Sequence, residues 1–207
     1  MSNQPEVPEA LRLEQLWSGE FGDQYVERNR DFAVRQAFWA DLLSSITCQR
    51  VLEVGCNLGG NLQWIAQHLP PQEVYGVDVN LKALHQLRAA VPDVNATWSA
   101  GRELPFRDGW FDLVFTFGVL IHQPDDTLPL MMAEMVRTSR RYVLCGEYFA
   151  TQTEEVPYRG EQAALFRRDY GGLFRRLFPE LELKGEGFLS KNEGWDDITW
   201  WLFEKGR

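Results

Sequence analysis

Cysteine is scarce in this chain, and the three present, Cys48, Cys56 and Cys145, are odd in number, far apart and without a nearby histidine cluster. Neither a disulfide framework nor a zinc site is suggested, the thiols read as buried, and no metal is expected. Long apolar runs are missing as well. No stretch approaches the ~20 consecutive apolar residues that cross a bilayer, and the start, MSNQPEVPEALRLEQ, has neither the basic nor the apolar part of a secretory signal. The expectation is a cytoplasmic protein without membrane partners. Positive charge is in deficit too: a net charge of -9 gives a field that repels phosphate backbones, which excludes nucleic acid as a default partner and leaves a small-molecule substrate. There is no internal repeat and no low-complexity tract. What is abundant is apolar side chain, 44% of 207 residues, enough for a full core but not for more than one large domain. Oligomeric state is left open.

Residues 1–15 are polar, contain Pro5 and Pro8, and are expected to fray, with order beginning near Leu16 and one domain over 16–207. From Asp31 to Leu43, DFAVRQAFWADLL places Phe32, Phe38, Trp39, Leu42 and Leu43 on one helix face. Arg50 to Val54 reads as a strand, a glycine turn follows, and NLQWIAQHL has helical spacing until Pro70. EVYGVDVN is a second strand, LKALHQLRAA a helix ended by Val91-Pro92, and VNATWSA a third strand. WFDLVFTFGVL, nearly all apolar, is a fourth strand covered on both faces, DTLPLMMAEMVRTS the next helix, and RYVLCGEYF a fifth strand. This alternation predicts an α/β fold, a Rossmann-like three-layer sandwich with a mostly parallel sheet. The tail departs from it: LELKGEGFLS and ITWWLFEKG are separated by KNEGWDD, which has no room for a crossover helix, so they complete seven strands as a C-terminal antiparallel hairpin. A sheet closed in this way looks like the S-adenosylmethionine-dependent methyltransferase fold rather than the dinucleotide-binding one.

The stretch VLEVGCNLGGNL separates the two further. A pyrophosphate loop wants G-x-G-x-x-G, whereas the pattern here is Glu53-x-Gly55-x-x-x-Gly59-Gly60, with Asn57 in place of the middle glycine. A carboxylate at the strand end repels pyrophosphate but suits a ligand with an ammonium and a sulfonium, which points to S-adenosylmethionine held by Glu53, Gly55, Cys56, Asn57 and Gly59. Asp78, at the end of the second strand beside Val79, is placed to accept from both ribose hydroxyls. Alternatively Gly55 and Gly59 only permit a tight turn and Glu53 caps the helix. Near the adenine such methyltransferases often carry Asp, and this chain has Ala100, so the backbone around Gly101 and Arg102, or the Glu103 side chain, would read the amine instead. Phe117, Gly118 and Val119 should run beneath the methionine part, with Leu120 and His122 near the methyl group. His122 suits a general base working near neutrality; a packing or hydrogen-bonding histidine is the other reading.

Two stretches stand outside this framework. LWSGEFGDQYVERN, residues 16–29, sets glycines beside large aromatics and suggests a lid over 16–30, with Trp17, Phe21 and Tyr25 closing on the cofactor and Arg28 or Asn29 pairing with its carboxylate; an ordinary capping helix is the alternative. The insertion at 151–176 follows the fifth strand, at the carboxyl edge where open α/β folds bind ligands. Around it gather Tyr148, Tyr158, Arg159, Arg167 and Arg168 as substrate-binding candidates, and Glu147 and Asp169 as alternatives to His122 for proton removal. A guanidinium fork fits a carboxylate or phosphate, so an anionic acceptor follows if one arginine faces inward; equally, Arg167, Arg168, Arg175 and Arg176 form a solvated helix face.

The combination of WSGEFGDQYVERN, LEVGCNLGGNL, YGVDVN, FGVLIH, EYF, PYRG…LFRRDY and DDITWWLFEK, spread from Leu16 to Lys205, resembles the pseudaminic acid biosynthesis-associated methylases. The resemblance implies methyl transfer linked to nonulosonic acid sugars, whose carboxylate would answer the arginines, with S-adenosylhomocysteine as product. Rival readings are a methyltransferase of peptide or natural-product side chains, a nicotinamide-binding reductase, and a protein that only senses S-adenosylmethionine.

Overall fold

Seven extended segments pair into one sheet in this computed structural model, which describes residues 8–28 and 32–206. In chain order they are β1 (Val51–Val54), β2 (Val74–Asp78), β3 (Asn95–Trp98), β4 (Phe111–Phe117), β5 (Ser139–Glu147) and, after a short ribbon of β6 (Glu154–Glu155) and β7 (Phe166–Arg167), β8 (Leu181–Leu189) and β9 (Ile198–Lys205). The order across the sheet is β3-β2-β1-β4-β5-β9-β8. β1 to β5 run parallel, and β9 is antiparallel to both β5 and β8. This is the expected α/β Rossmann-like sandwich with its C-terminal hairpin.

The helices are α1 (Glu9–Ser18), α2 (Glu20–Arg28), α3 (Arg35–Ser45), α4 (Leu62–Ile65), α5 (Leu81–Ala90), α6 (Leu128–Thr138) and α7 (Tyr170–Leu177). Pleating explains how one apolar strand serves two cores: Leu113 and Phe115 of β4 join Trp39, Leu62, Leu84 and Leu87 on one face, while Val114 joins Met132, Met135 and Phe174 on the other. Phe111 shares a face with Val114 because the β4–β5 register shifts between Phe111 and Leu113. Trp39 is fully buried, so its truncation to alanine would cost about 3–5 kcal/mol. The charged residue in β4, Asp112, is satisfied at the strand start by the N–H groups of Gln49 and Arg50 and by Arg140.

Three expectations are corrected. Order does not wait for Leu16: α1 begins at Glu9, because Pro8 occupies the N-cap rather than breaking a helix, Leu13 is buried, and Arg12 pairs with Glu9. The helix expected to continue to Pro70 is α-helical only over α4 and finishes in tighter turns. Among the thiols, Cys56 and Cys145 are buried but Cys48 is half-buried. The expected helix start at Asp31, and Asn29, lie outside the described residues.

Candidate functional site

Because β1, β2 and β4 are parallel and adjacent, their carboxyl ends open on one edge, and the antiparallel β9 brings its first residues to the same edge. There a cavity of about 370 Å³ lies beneath α1 and α2, within the ~300–1,000 Å³ of small-ligand sites. Its wall takes Glu53 from β1, Gly55, Cys56 and Asn57 from the β1–α4 turn, Asp78 from the end of β2 and Val79 just beyond it, Arg102 from the loop after β3, Phe117 from the end of β4 and Gly118 just beyond it, and Tyr25 and Arg28 from α2.

The turn is shaped by its backbone. Gly55 holds φ 79° and Asn57 φ 45°, and a Cβ on Gly55 would come within 2.5 Å of Val119 Cγ2. Gly59, at φ 76°, does not line the cavity; a Cβ there would meet Leu87, so this glycine lets the turn pack on α5. The Asp78 carboxylate is fixed from both sides, accepting the N–H of Asn57 and of Asn80 at 2.8 Å each. Burial pushes its pKa up while these bonds, with that of Val79, pull it back. Glu53 is 2% exposed, accepts from Asn61 Nδ2, and is pushed up to about 8 by burial against the opposing pull of Asn61 and Arg35. Among the described residues five buried side-chain atoms have no partner, and three belong to the cavity wall: Glu53 Oε2, Asn57 Oδ1 and Trp17 Nε1. Two acceptors and one donor, already desolvated, are a site awaiting complementary groups.

The roof is tied by polar bonds. Asn80 caps α5 through Oδ1 and donates from Nδ2 to the Trp17 carbonyl at 3.1 Å and to Asp23 at 3.0 Å. Lys82 pairs with Glu27 at 2.8 Å and Arg102 with Glu14 at 2.5 Å. Inside, His122 is 7% exposed, wedged 4.4 Å from the Trp17 ring and 5.3 Å from Tyr158, with Nδ1 bonded to the Ala164 carbonyl. A carbonyl only accepts, so Nδ1 carries the proton. Burial drives the imidazole pKa down to about 4, well below the near-neutral value expected of it, and leaves Nε2 with its lone pair.

Other expected positions fall elsewhere. Glu147 is fully buried, accepts the N–H groups of Val119, Leu120 and Ile121, and does not reach the cavity. Its carboxylate caps the one-turn helix that carries His122. Asp169 is exposed and caps α7 by accepting from Gly172 at 2.8 Å. Glu103 is exposed and outside the wall. Tyr148, Tyr158, Arg159, Arg167 and Arg168 do not line the cavity either. Tyr158 packs against Trp17 and Phe21, Arg159 and Arg167 are exposed, and Arg168, 3% exposed, is spent on bonds within the protein. Arg175 and Arg176 lie on a solvated turn of α7.

Sequence reasoning missed Arg35, Asn61, Asn80, Trp195 and Asp196. Arg35 lines the wall, donates to Asn61 Oδ1 at 3.1 Å and lies over the Phe32 and Trp195 rings. Its signal was one arginine inside an apolar helical face. Trp195 and Asp196 reach the wall from the β8–β9 connection, a position that the reversal of β9 alone would have indicated. Among the described residues no three His, Cys, Asp or Glu side chains come together as a metal site needs, and no helix is long and apolar enough to cross a membrane.

Residues 51–141 match a family described as a methyltransferase domain. The chain is 26% identical over 146 residues to an uncharacterized methyltransferase of Schizosaccharomyces pombe, covering 65% of this chain and 52% of that protein, so it spans about half the length of this curated relative. In three dimensions it is similar to magnesium protoporphyrin IX methyltransferase from Synechocystis PCC 6803 with bound S-adenosylmethionine, with TM-score 0.73, 14% identity, and coverage of 99% of this chain and 100% of that one. It is also similar to 1,6-didemethyltoxoflavin-N1-methyltransferase of Burkholderia thailandensis with bound 1,6-didemethyltoxoflavin and S-adenosylhomocysteine, with TM-score 0.71, 14% identity, and coverage of 100% and 94%. At these identities the likeness is one of fold.

Proposed function

Starting from a chain that carries an S-adenosylmethionine-dependent methyltransferase domain, we propose that its cavity holds this cofactor and that the protein methylates an oxygen or nitrogen of a small anionic acceptor. The observation that carries the reading is the trio of unpartnered buried atoms in one wall. Glu53 Oε2 and Asn57 Oδ1 would accept from the cofactor's ammonium, while Trp17 Nε1, with Arg35 or Arg28, would donate to its carboxylate. Asp78, held by Asn57 and Asn80, keeps lone pairs for the ribose hydroxyls. The backbone at Gly101 and Arg102 flanks the adenine, the Arg102 side chain being paired with Glu14.

When bound, S-adenosylmethionine supplies a methyl group whose carbon–sulfur bond breaks with its electron pair to sulfur as the acceptor's lone pair forms the new bond, leaving S-adenosylhomocysteine. The protein contributes alignment and exclusion of water beneath α1 and α2, which act as a lid. His122 Nε2 takes the proton of a hydroxyl or amidine acceptor; a neutral amine needs no base. An anionic acceptor, in its finest form a nonulosonic acid sugar, is supported by the sequence resemblance and by Arg28 in the wall. A flat natural-product acceptor is the second reading, favoured by the rings of Trp17, Tyr25, Phe117 and Trp195 around the cavity. Three free thiols are in keeping with a reducing, cytoplasmic setting.

Titration calorimetry tests the donor site: S-adenosylmethionine and its product should bind, NADH should not, and Asp78→Ala should weaken both ligands at least ~10-fold, as expected for lost charge-assisted hydrogen bonds. Unchanged affinity in that variant would sink the ribose assignment. Mass spectrometry of reactions with free and CMP-linked nonulosonic acids, peptides and small amines then decides the acceptor. A methylated peptide or amine would discard the sugar.

A further inference from the structure

Two groups from the segment between β5 and α7 grip the turn that carries His122, and cofactor binding explains neither. The Ala164 carbonyl accepts from His122 Nδ1. Arg168 donates from Nη1 to the Gln123 carbonyl at 3.0 Å and from Nη2 to Asp125 Oδ1 at 2.7 Å. Asp125 is 86% exposed, so this ion pair by itself adds little to stability, yet the guanidinium is 3% exposed and its Nε has no partner. Burying such a group is costly, and among the described residues its side chain meets, besides the His122 turn, only the Tyr170 hydroxyl at 3.4 Å and the Phe166 ring. The chain is also forced where it meets the histidine. Ala163 holds φ 50°, a left-handed conformation that costs ~1–2 kcal/mol, with its N–H anchored on Glu155 Oε1 at 2.6 Å. That turn aims the next carbonyl, Ala164, at the imidazole.

We infer that Ala164 and Arg168 are positioning groups for methyl transfer: the Ala164 carbonyl fixes His122 in its Nδ1–H tautomer, and Arg168 clamps the backbone just after it, so that Nε2 is presented as the proton acceptor. The assignment rests on the proposed role of His122, although the tautomer itself does not. Trp17 and Tyr158 pack tilted against the ring, the carbonyl pins one nitrogen, and Arg168 holds the adjoining peptide; each acts on a different freedom of the side chain. Arg168 does not line the cavity, so its loss should leave donor affinity alone and lower kcat.

Long-range proton–nitrogen spectra of the ¹⁵N-labelled protein report the tautomer without any acceptor, with His122 distinguished from His68 and His85 by a His122→Gln reference. The wild type should show Nε2 unprotonated. Arg168→Met should mix the tautomers, Arg168→Lys should partly restore the wild-type pattern, and S-adenosylmethionine affinity should stay within twofold of wild type in both. With an acceptor in hand, kcat should fall on the order of 10-fold to 100-fold in the Met variant and recover with Lys. Should Arg168→Met not fold, Asp125→Asn removes only the exposed partner and should give a smaller shift of the same kind. A protonated Nε2 in the wild type, or an unaltered tautomer in a folded Arg168→Met, overturns the inference. A protein that keeps the Nδ1–H tautomer yet binds no S-adenosylmethionine would instead overturn the methyl-transfer reading and leave the clamp standing.

Discussion

At Gly22 there is no space for one more carbon: a Cβ would lie 1.8 Å from the Trp17 carbonyl oxygen and 2.9 Å from Asn80 Nδ2. Gly22→Ala should therefore push α2 off α1 and disturb the cavity roof. Overpacking of ~1–3 kcal/mol converts, for a chain of this size, to a Tm lower by roughly 2–12 °C, with weaker donor binding by calorimetry. An unchanged Tm would mean the two helices already slide freely. The place of Glu53 and Asp78 in the cavity wall was legible in sequence because a charged side chain at the end of an apolar strand has few other uses. Arg35 was not, since its solvent-facing and cavity-facing readings share one helical pattern with Phe38, Trp39 and Leu42. Arg168 misled in the opposite direction. In the two-residue period of an extended segment Arg167 faces water and Arg168 the interior, but two residues of strand are too few to reveal the period.

Besides the exposed Lys82–Glu27 pair, Asn80 ties the start of α5 to the roof. Asn80→Asp keeps an oxygen for the α5 cap, loses both bonds donated from Nδ2 to Trp17 and Asp23, and sets two acids against each other. Hydrogen exchange over residues 9–28 should quicken and the donor should dissociate faster, while exchange in α5 stays as in the wild type. Unaltered exchange would show that the packed rings of Trp17, Phe21 and Tyr25 hold the roof unaided. Strands and their mostly parallel arrangement were readable because a strand covered on both faces is apolar throughout, as β4 shows with Leu113 and Phe115 on one side and Val114 on the other. α1 was not, because Pro8 carries the same letter whether it ends order or starts a helix. Nor was the β6–β7 ribbon, whose few bonds leave no repeating pattern.

Buried ionisable groups give the protein a skewed response to pH. Glu53 and Glu147 sit near 8 when folded against 4.5 when unfolded, so the native state keeps protons that the unfolded chain has released. The stability they provide is complete below pH 4.5 and is lost as pH rises through 8. His122, near 4 when folded against 6.5, acts in reverse: its contribution is present above pH 6.5 and lost as pH falls toward 4. Between 4.5 and 6.5 the two tendencies partly cancel, and above 6.5 the histidine no longer opposes the glutamates. The Tm of the cofactor-free protein should therefore fall most steeply between pH 6.5 and 8, by about 1 kcal/mol of stability per pH unit for each glutamate. Glu147→Gln should lower the Tm at pH 6 and flatten that slope. A slope equal to the wild type's would mean Glu147 is already ionised beneath the three N–H groups that face it.

The cavity wall takes most of its residues from one continuous stretch, joined by α1 and α2 from one end of the chain and the Trp195–Asp196 connection from the other, while the 154–169 segment packs behind His122 without lining the cavity. For an engineer this separates what can be exchanged: on the proposed reading, swapping the 154–169 segment between relatives would alter the acceptor side while the donor contacts of Glu53, Asn57, Asp78, Trp17 and Arg28 stay in place.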